Sequence, residues 1–167
     1  MGRLITVDAG TRTKKILCIS SQTEDNKHIL IWDFDRIDVY DMLKSLSKMQ
    51  SYNGLGVIYI FESRWGFNAV CLDKLIDKEV YNIKLNTRYD DYWHNNIGYK
   101  SNSWAWRIGN DKHYLKHLLP TDDYQYRIQS NAHKIFLEKQ FNIQVNFGIF
   151  DTYTDLIIES YTQDVIK

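Results

Sequence analysis

Leu4-Ile5-Thr6-Val7-Asp8-Ala9-Gly10-Thr11-Arg12-Thr13-Lys14-Lys15-Ile16-Leu17-Cys18-Ile19-Ser20 reads as an apolar strand ending on an aspartate, a Gly-Thr turn and a second apolar strand. β-Branched and apolar residues on both sides of a glycine are the pattern of a β-hairpin. The sheet would fix the Asp8 backbone at the mouth of that hairpin and turn its carboxylate into a cleft. A cation such as Mg²⁺ takes hard oxygen donors from rigid positions, so Asp8 is a candidate metal ligand. A plain aspartate closing a surface turn has the same local pattern, and the hairpin alone does not separate the two.

Working outward, His28-Ile29-Leu30-Ile31-Trp32-Asp33-Phe34 follows the polar turn Gln22–Asn26 as a third strand, which suggests an antiparallel meander. Val39–Met49 carries Val39, Met42, Leu43 and Leu46 at helical spacing, with Asp38 placed to cap it. Gly54 and Gly56 break the chain. Val57-Ile58-Tyr59-Ile60-Phe61 is a continuous apolar run, the pattern of a strand buried on both faces, and Glu62 follows at once. Trp65–Lys78 is expected as a second helix and the alternating Val80–Leu85 as a fifth strand. Asn86–Leu119 is polar and aromatic without a clear element. Thr121 is expected to cap a helix reaching about Phe141, with Asp122 and Asp123 in its first turn. A last helix is expected from about Asp151, containing Leu156, Ile157, Ile158 and Tyr161.

Three strands, helix, strand, helix, strand, then helices is the order of an α/β, ribonuclease H-like fold. It implies a mixed five-stranded sheet, three-strand antiparallel meander plus parallel strands, flanked by helices. At 167 residues the expected organisation is one domain over 1–167. Lys and Arg number 21 and Asp and Glu 21, so no global positive field favours nucleic acid, although a local patch suffices. Cys18 and Cys71 lie in apolar runs without metal-ligand spacing, which suggests buried thiols in a reducing compartment. No run reaches transmembrane length and no signal-peptide pattern opens the chain. Met1-Gly2-Arg3-Leu4-Ile5-Thr6 matches a myristoylation pattern, but the first strand needs the same residues. The expectation is a soluble intracellular protein, in the cytoplasm or at a nucleoid or viral replication site.

Acidic residues stand at element ends. Asp8 ends the first strand and Glu62 the fourth, while Asp151 and Asp155 lie four apart on one face of the last helix. In the ribonuclease H-like strand order the first strand is central and the fourth pairs beside it, so Asp8 and Glu62 leave the sheet as neighbours. Four carboxylates at one point repel one another unless metal ions neutralise them. Two divalent ions in such a cluster activate water on one side of a phosphodiester and stabilise the leaving oxygen on the other.

Asp8-Ala9-Gly10-Thr11-Arg12-Thr13, Glu62 after its apolar strand, and Asp151-Thr152-Tyr153-Thr154-Asp155-Leu156-Ile157 resemble the motifs of RuvC-type Holliday junction resolvases, including poxvirus and bacteriophage relatives. In that family the terminal acids are more often three apart and followed by small residues. Here the spacing is four and the followers are bulky, so which of Asp151 and Asp155 is the ligand stays open. The resemblance implies an endonuclease using two Mg²⁺ or Mn²⁺ ions per site. It also implies a homodimer that cuts opposing strands of a four-way DNA junction symmetrically. On that reading Asp8→Asn and Glu62→Gln abolish cleavage while junction binding survives.

Arg12, Lys14 and Lys15 beside Asp8, and Arg64 beside Glu62, are candidate DNA phosphate contacts, as is Lys134 on the long helix with His133 next to it. Trp104, Trp106, Trp93 and Tyr99 in the aromatic 93–106 segment are candidates for base stacking; core or interface packing is the commoner role. His113 and His117 have helical ligand spacing without a third ligand and read as surface residues.

A second enzyme class fits other residues. Asp33-Phe34-Asp35, then a helix, a strand and Ser63-Arg64-Trp65-Gly66-Phe67-Asn68, resemble the metal-binding Asp-x-Asp and nucleotide motifs of archaeo-eukaryotic primases. That family normally has a histidine where Asn68 stands and has no use for the Asp8 hairpin. On the resolvase reading, replacing Asp33 and Asp35 is mild. The Asp8-Gly10-Thr11 turn also looks like the first phosphate motif of sugar kinases and actin-like ATPases, which need a second domain that 167 residues do not supply. A non-enzymatic alternative is a ribonuclease H-like domain serving as a DNA-binding or assembly module.

Overall fold

The computed structural model describes residues 2–9, 12–108, 112–121 and 129–143, with side chains from Cys18 onward. In chain order the elements are β1 (Gly2–Ala9), β2 (Arg12–Ser20), β3 (His28–Asp35), α1 (Val39–Asn53), β4 (Ile58–Glu62) and β5 (Gly66–Leu75), followed by α2 (Asp77–Asn86), α3 (Tyr92–Ser101), β6 (Ala105–Arg107), β7 (Tyr114–Leu119) and α4 (Asn131–Phe141). They build a mixed α/β structure with two sheets, ordered β1-β2-β6 and β3-β5-β4-β7. Among the described residues every strand pair is antiparallel.

The hairpin of β1 and β2 forms as its sequence suggests, with Asp8 opposite Thr13 and Ala9 opposite Arg12. Helix α1 forms too. The Asp38 carboxylate accepts from the Tyr40 amide at 2.9 Å, and Gly54 ends the helix at φ 58°, where a side chain would be strained. Strand β4 is the doubly buried strand its apolar run implies, lying between β5 and β7.

Other expectations are corrected. The meander stops at two strands: β3 leaves β2 and pairs with β5 in the second sheet. No parallel pair is present among the described residues, and β4 does not lie beside β1. Trp65–Lys78 is mostly strand β5 instead of a helix, because the turn Ser63–Gly66 sends the chain straight back along β4. The Ser63 amide closes that turn on the Gly66 carbonyl at 2.9 Å. Val80–Leu85 is helical, inside α2, and buries Val80, Ile83 and Lys84 at i, i+3 and i+4. The helix expected from Thr121 begins at Asn131 with Ser130 as its cap, and Gln129 forms an isolated bridge to Asp73 instead. The helix expected near Asp151 lies outside the described residues.

Strands β3 and β4 both run antiparallel to β5, so they are parallel to each other, joined by α1, with β5 inserted between them. That is a split β-α-β unit, extended by α2 after β5. Its sheet has two covered faces. On one, Trp32 Nε1 donates to Thr87 Oγ1 at the end of α2, at 3.1 Å. On the other, Phe61 packs with ring centroids 4.9 Å from Trp106 of β6 and 4.7 Å from Phe141 of α4. Trp104 and Trp106 are therefore core residues. Cys18 and Cys71 are both buried and are not joined in a disulfide. No helix among the described residues is long and apolar enough to cross a membrane.

Gly66 is fixed by the approach of β3: a Cβ there would lie 1.9 Å from the Phe34 carbonyl oxygen, a backbone atom that cannot step aside alone. Gly66→Ala is expected to cost about 2–3 kcal/mol in urea unfolding. A loss under about 0.5 kcal/mol, the size of an ordinary surface change, would show that the strands part there freely.

Candidate functional site

Residues directly opposite each other in a sheet share a face. Asp33 of β3 is opposite Asn68 of β5, which is opposite Phe61 of β4, so all three point toward the face covered by β6 and α4. Asp35 follows on the same face at the exposed end of β3, opposite Gly66. Asn68 Nδ2 donates to Asp33 Oδ1 at 3.0 Å. The Arg36 amide donates to the Trp65 carbonyl at 3.0 Å, which closes this end of the sheet. The exposed Arg64 guanidinium stacks over the Trp65 ring, 4.8 Å from its centroid.

Acids crowd this end. Asp33 is pushed up to about 6, first by burial and then by the carboxylates of Asp35, Asp91 and Asp90, with the Lys84 ammonium opposing. Asp91 caps α3, accepting from the His94 amide at 2.6 Å, and its own amide donates to the Asp33 carbonyl at 2.7 Å.

Behind Asp33 lies a buried ion pair. Lys84 Nζ and Asp90 Oδ2 are 2.7 Å apart with both side chains fully buried. Lys84 also donates to the Ile31 carbonyl, and Asn95 Nδ2 donates to Asp90 Oδ2 at 3.0 Å. Burial lowers the Lys84 pKa, and the charge of Asp90 opposes the shift. His94 Nε2 meets the Ala105 carbonyl at 3.1 Å and must donate there, which leaves Nδ1 as the acceptor facing Lys84 Nζ at 3.5 Å. Burial and then the Lys84 charge hold His94 down at about 3, so it is neutral.

Ionising Asp33 costs the folded state more than the unfolded one, because its folded pKa is the higher. The cost is absent below about 4 and complete above about 6. Asp33→Asn removes it, so that variant is expected to gain stability relative to wild type between pH 4.5 and pH 7. Parallel urea titrations measure the difference, and a constant offset across that range would contradict the assignment.

The sequence-derived candidates fall on several elements. Asp8 lies in the first sheet and Glu62 in the second, on strands that do not pair. Glu62 pairs instead with Lys116 of β7 at 3.1 Å, a half-exposed surface contact worth under about 1 kcal/mol. Arg12, Lys14 and Lys15 are in β2, opposite Ala9, Val7 and Thr6. Arg64 is in the β4–β5 turn, where the following residue, Trp65, accepts from the Arg36 amide at the end of β3. Asp151 and Asp155 lie outside the described residues. Lys134 is half-buried in α4, and His133 turns inward, its Nε2 donating to the Ser20 carbonyl at 2.7 Å. His117 is on strand β7, and His113 packs its ring 5.2 Å from Trp106, so neither is on a helix. Trp93 is exposed on α3.

Lys84, Asp90, His94 and Asn95 escaped sequence reasoning. The available signal was a lysine at i+4 on the apolar stripe of Val80 and Ile83, followed by the acid pair Asp90-Asp91.

Asp33, Asp35 and Asp91 supply the hard oxygens a divalent cation takes, and their mutual repulsion is what such an ion relieves. Among the described residues no three acidic, histidine or cysteine side chains form a ready-made coordination group. Asp33 and Asp35, on one face of β3, are the residues that could hold a cation, which would need further ligands from substrate or water. Comparison with protein-family models, curated proteins and solved structures finds no match for this chain.

Proposed function

We propose that this chain is a primase-like nucleotidyltransferase working at the Asp33–Asp35 end of β3. One observation carries the reading: the β3–β5 register sets Asp33-Phe34-Asp35 directly against the Gly66–Asn68 end of Ser63–Asn68. These two segments resemble the primase motifs and are far apart in the chain. A divalent cation, when bound, neutralises triphosphate charge and polarises the phosphoryl group.

The chain's own residues then have defined tasks. Asp33 and Asp35 hold the cation from a rigid strand. The Asn68 amide orients Asp33 through its 3.0 Å bond; lacking a titratable proton, it does no acid–base work. Arg64 at the exposed turn is the nearby phosphate contact.

The junction-resolvase reading takes Asp8 and Glu62 as neighbours through adjacent strands; β1 and β4 lie in separate sheets, so strand pairing does not supply that neighbourhood. Two assays divide the readings: Mn²⁺-dependent nucleotide incorporation on a primed single strand, and cleavage of a four-way junction. Each is run on wild type, Asp33→Asn, Asp35→Asn, Asp8→Asn and Glu62→Gln. Incorporation lost only in the Asp33 and Asp35 variants is expected. Junction cleavage lost in the Asp8 and Glu62 variants would return the assignment to the resolvase class.

A further inference from the structure

Among the described residues the outer edge of β3 has no neighbouring strand in its sheet, yet three of its outward backbone groups, at Ile31 and Asp33, have partners. In an antiparallel strand alternate residues turn both N–H and C=O away from the partner, and here Ile31 and Asp33 do so. Lys84 Nζ donates to the Ile31 carbonyl. Asp90 Oδ1 accepts from the Asp33 amide at 3.0 Å, and the Asp91 amide donates to the Asp33 carbonyl at 2.7 Å. Lys84 and Asp90 are locked to each other, to Asn95 and to His94, and are sealed from water.

We infer that Lys84 and Asp90 are positioning residues for Asp33: they stand where a strand would pair and fix the Asp33 backbone, and through it the carboxylate. The inference rests on the Asp33–Asp35 site proposed above and gives α2 and the 87–91 segment a direct mechanical part in it. Buried charge is an expensive way to satisfy a sheet edge, since an apolar or amide replacement is often no less stable. What the pair supplies is a directional clamp: one carboxylate oxygen holds the Asp33 amide while the other is tied to a cation on a packed helix. Groups that orient metal ligands in this way typically matter 10–100-fold in affinity, as a rough scale.

Two double variants separate clamp from charge. Lys84→Met with Asp90→Asn removes both charges but keeps an oxygen facing the Asp33 amide. Lys84→Met with Asp90→Leu removes the charges and the oxygen. Both are expected to unfold cooperatively in urea. Amide hydrogen exchange at Asp33 is expected to stay within about threefold of wild type in the first and to rise about tenfold or more in the second. Mn²⁺ affinity, read by electron paramagnetic resonance of the free ion, is expected to be kept in the first and to fall about tenfold or more in the second. Should the leucine variant not fold, Lys84→Met with Asp90→Ala is judged by the same criteria. A folded clamp-less variant with wild-type exchange at Asp33 overturns the inference, and so do equal losses in both double variants. Wild type that binds Mn²⁺ no better than Asp33→Asn overturns the site reading instead, while the exchange comparison still decides the clamp.

Discussion

Lys84→Met alone is expected to cost about 3–5 kcal/mol, because it strands a buried carboxylate. Methionine fits the volume of the lysine stem, so the loss comes from polar groups. Asp90 loses its cation at 2.7 Å and the Ile31 carbonyl loses its donor. What remains around Asp90 is the Asp33 amide and Asn95 Nδ2, too little to hold an ionised carboxylate away from water. The variant should therefore be less unstable at low pH. Asp90 already titrates above its ordinary range through burial, and without Lys84 it rises further. A group raised in the folded state costs stability as pH climbs through its folded pKa and costs nothing below its unfolded one. Urea titrations at pH 5 and pH 8 measure this, with the larger loss expected at pH 8. Adding Asp90→Asn should restore most of the stability. If the double variant is as unstable as the single one, packing accounts for the loss.

Asp33→Asn is expected to lower Mn²⁺-dependent nucleotide incorporation by about 10³-fold, roughly 4 kcal/mol of transition-state stabilisation. The amide keeps the shape and the contact with Asn68 but removes the charge that a cation needs. Binding of a single strand should change little, because the change leaves Arg64 and Trp65 in place. Asp35→Asn should give a smaller but large loss, since Asp35 is more exposed and less held. The stability gain expected for Asp33→Asn at neutral pH makes the reading sharper: the variant is less active while more stable, which unfolding cannot explain. Undiminished incorporation by that variant would remove the nucleotidyltransferase proposal.

Local signals were legible where the physics is local. The Asp38 cap, the helical stripe of α1, Gly54 at its end and the apolar run of β4 were all readable and all formed. Failures came where a distant partner decides. Gly66–Leu75 is a strand because a tight turn lays it along β4 and because β3 takes its other edge. Val80–Leu85 alternates as a strand would, but its buried lysine occupies a helical position whose acid partner arrives from Asp90.

The site followed the same division. Asp-x-Asp at Asp33 and Asp35, the Ser63–Asn68 segment, and the acids Asp8 and Glu62 were all visible as motifs in one dimension. By itself the sequence determined which residue types and spacings were available for metal and phosphate chemistry, because those depend on neighbours along the chain. Only the tertiary structure decided which acids share a location. Sheet pairing put Asn68 against Asp33, and it left Asp8 and Glu62 in different sheets. Carboxylates influence one another over a few ångströms, and strand order, which no local pattern encodes, sets distances on that scale.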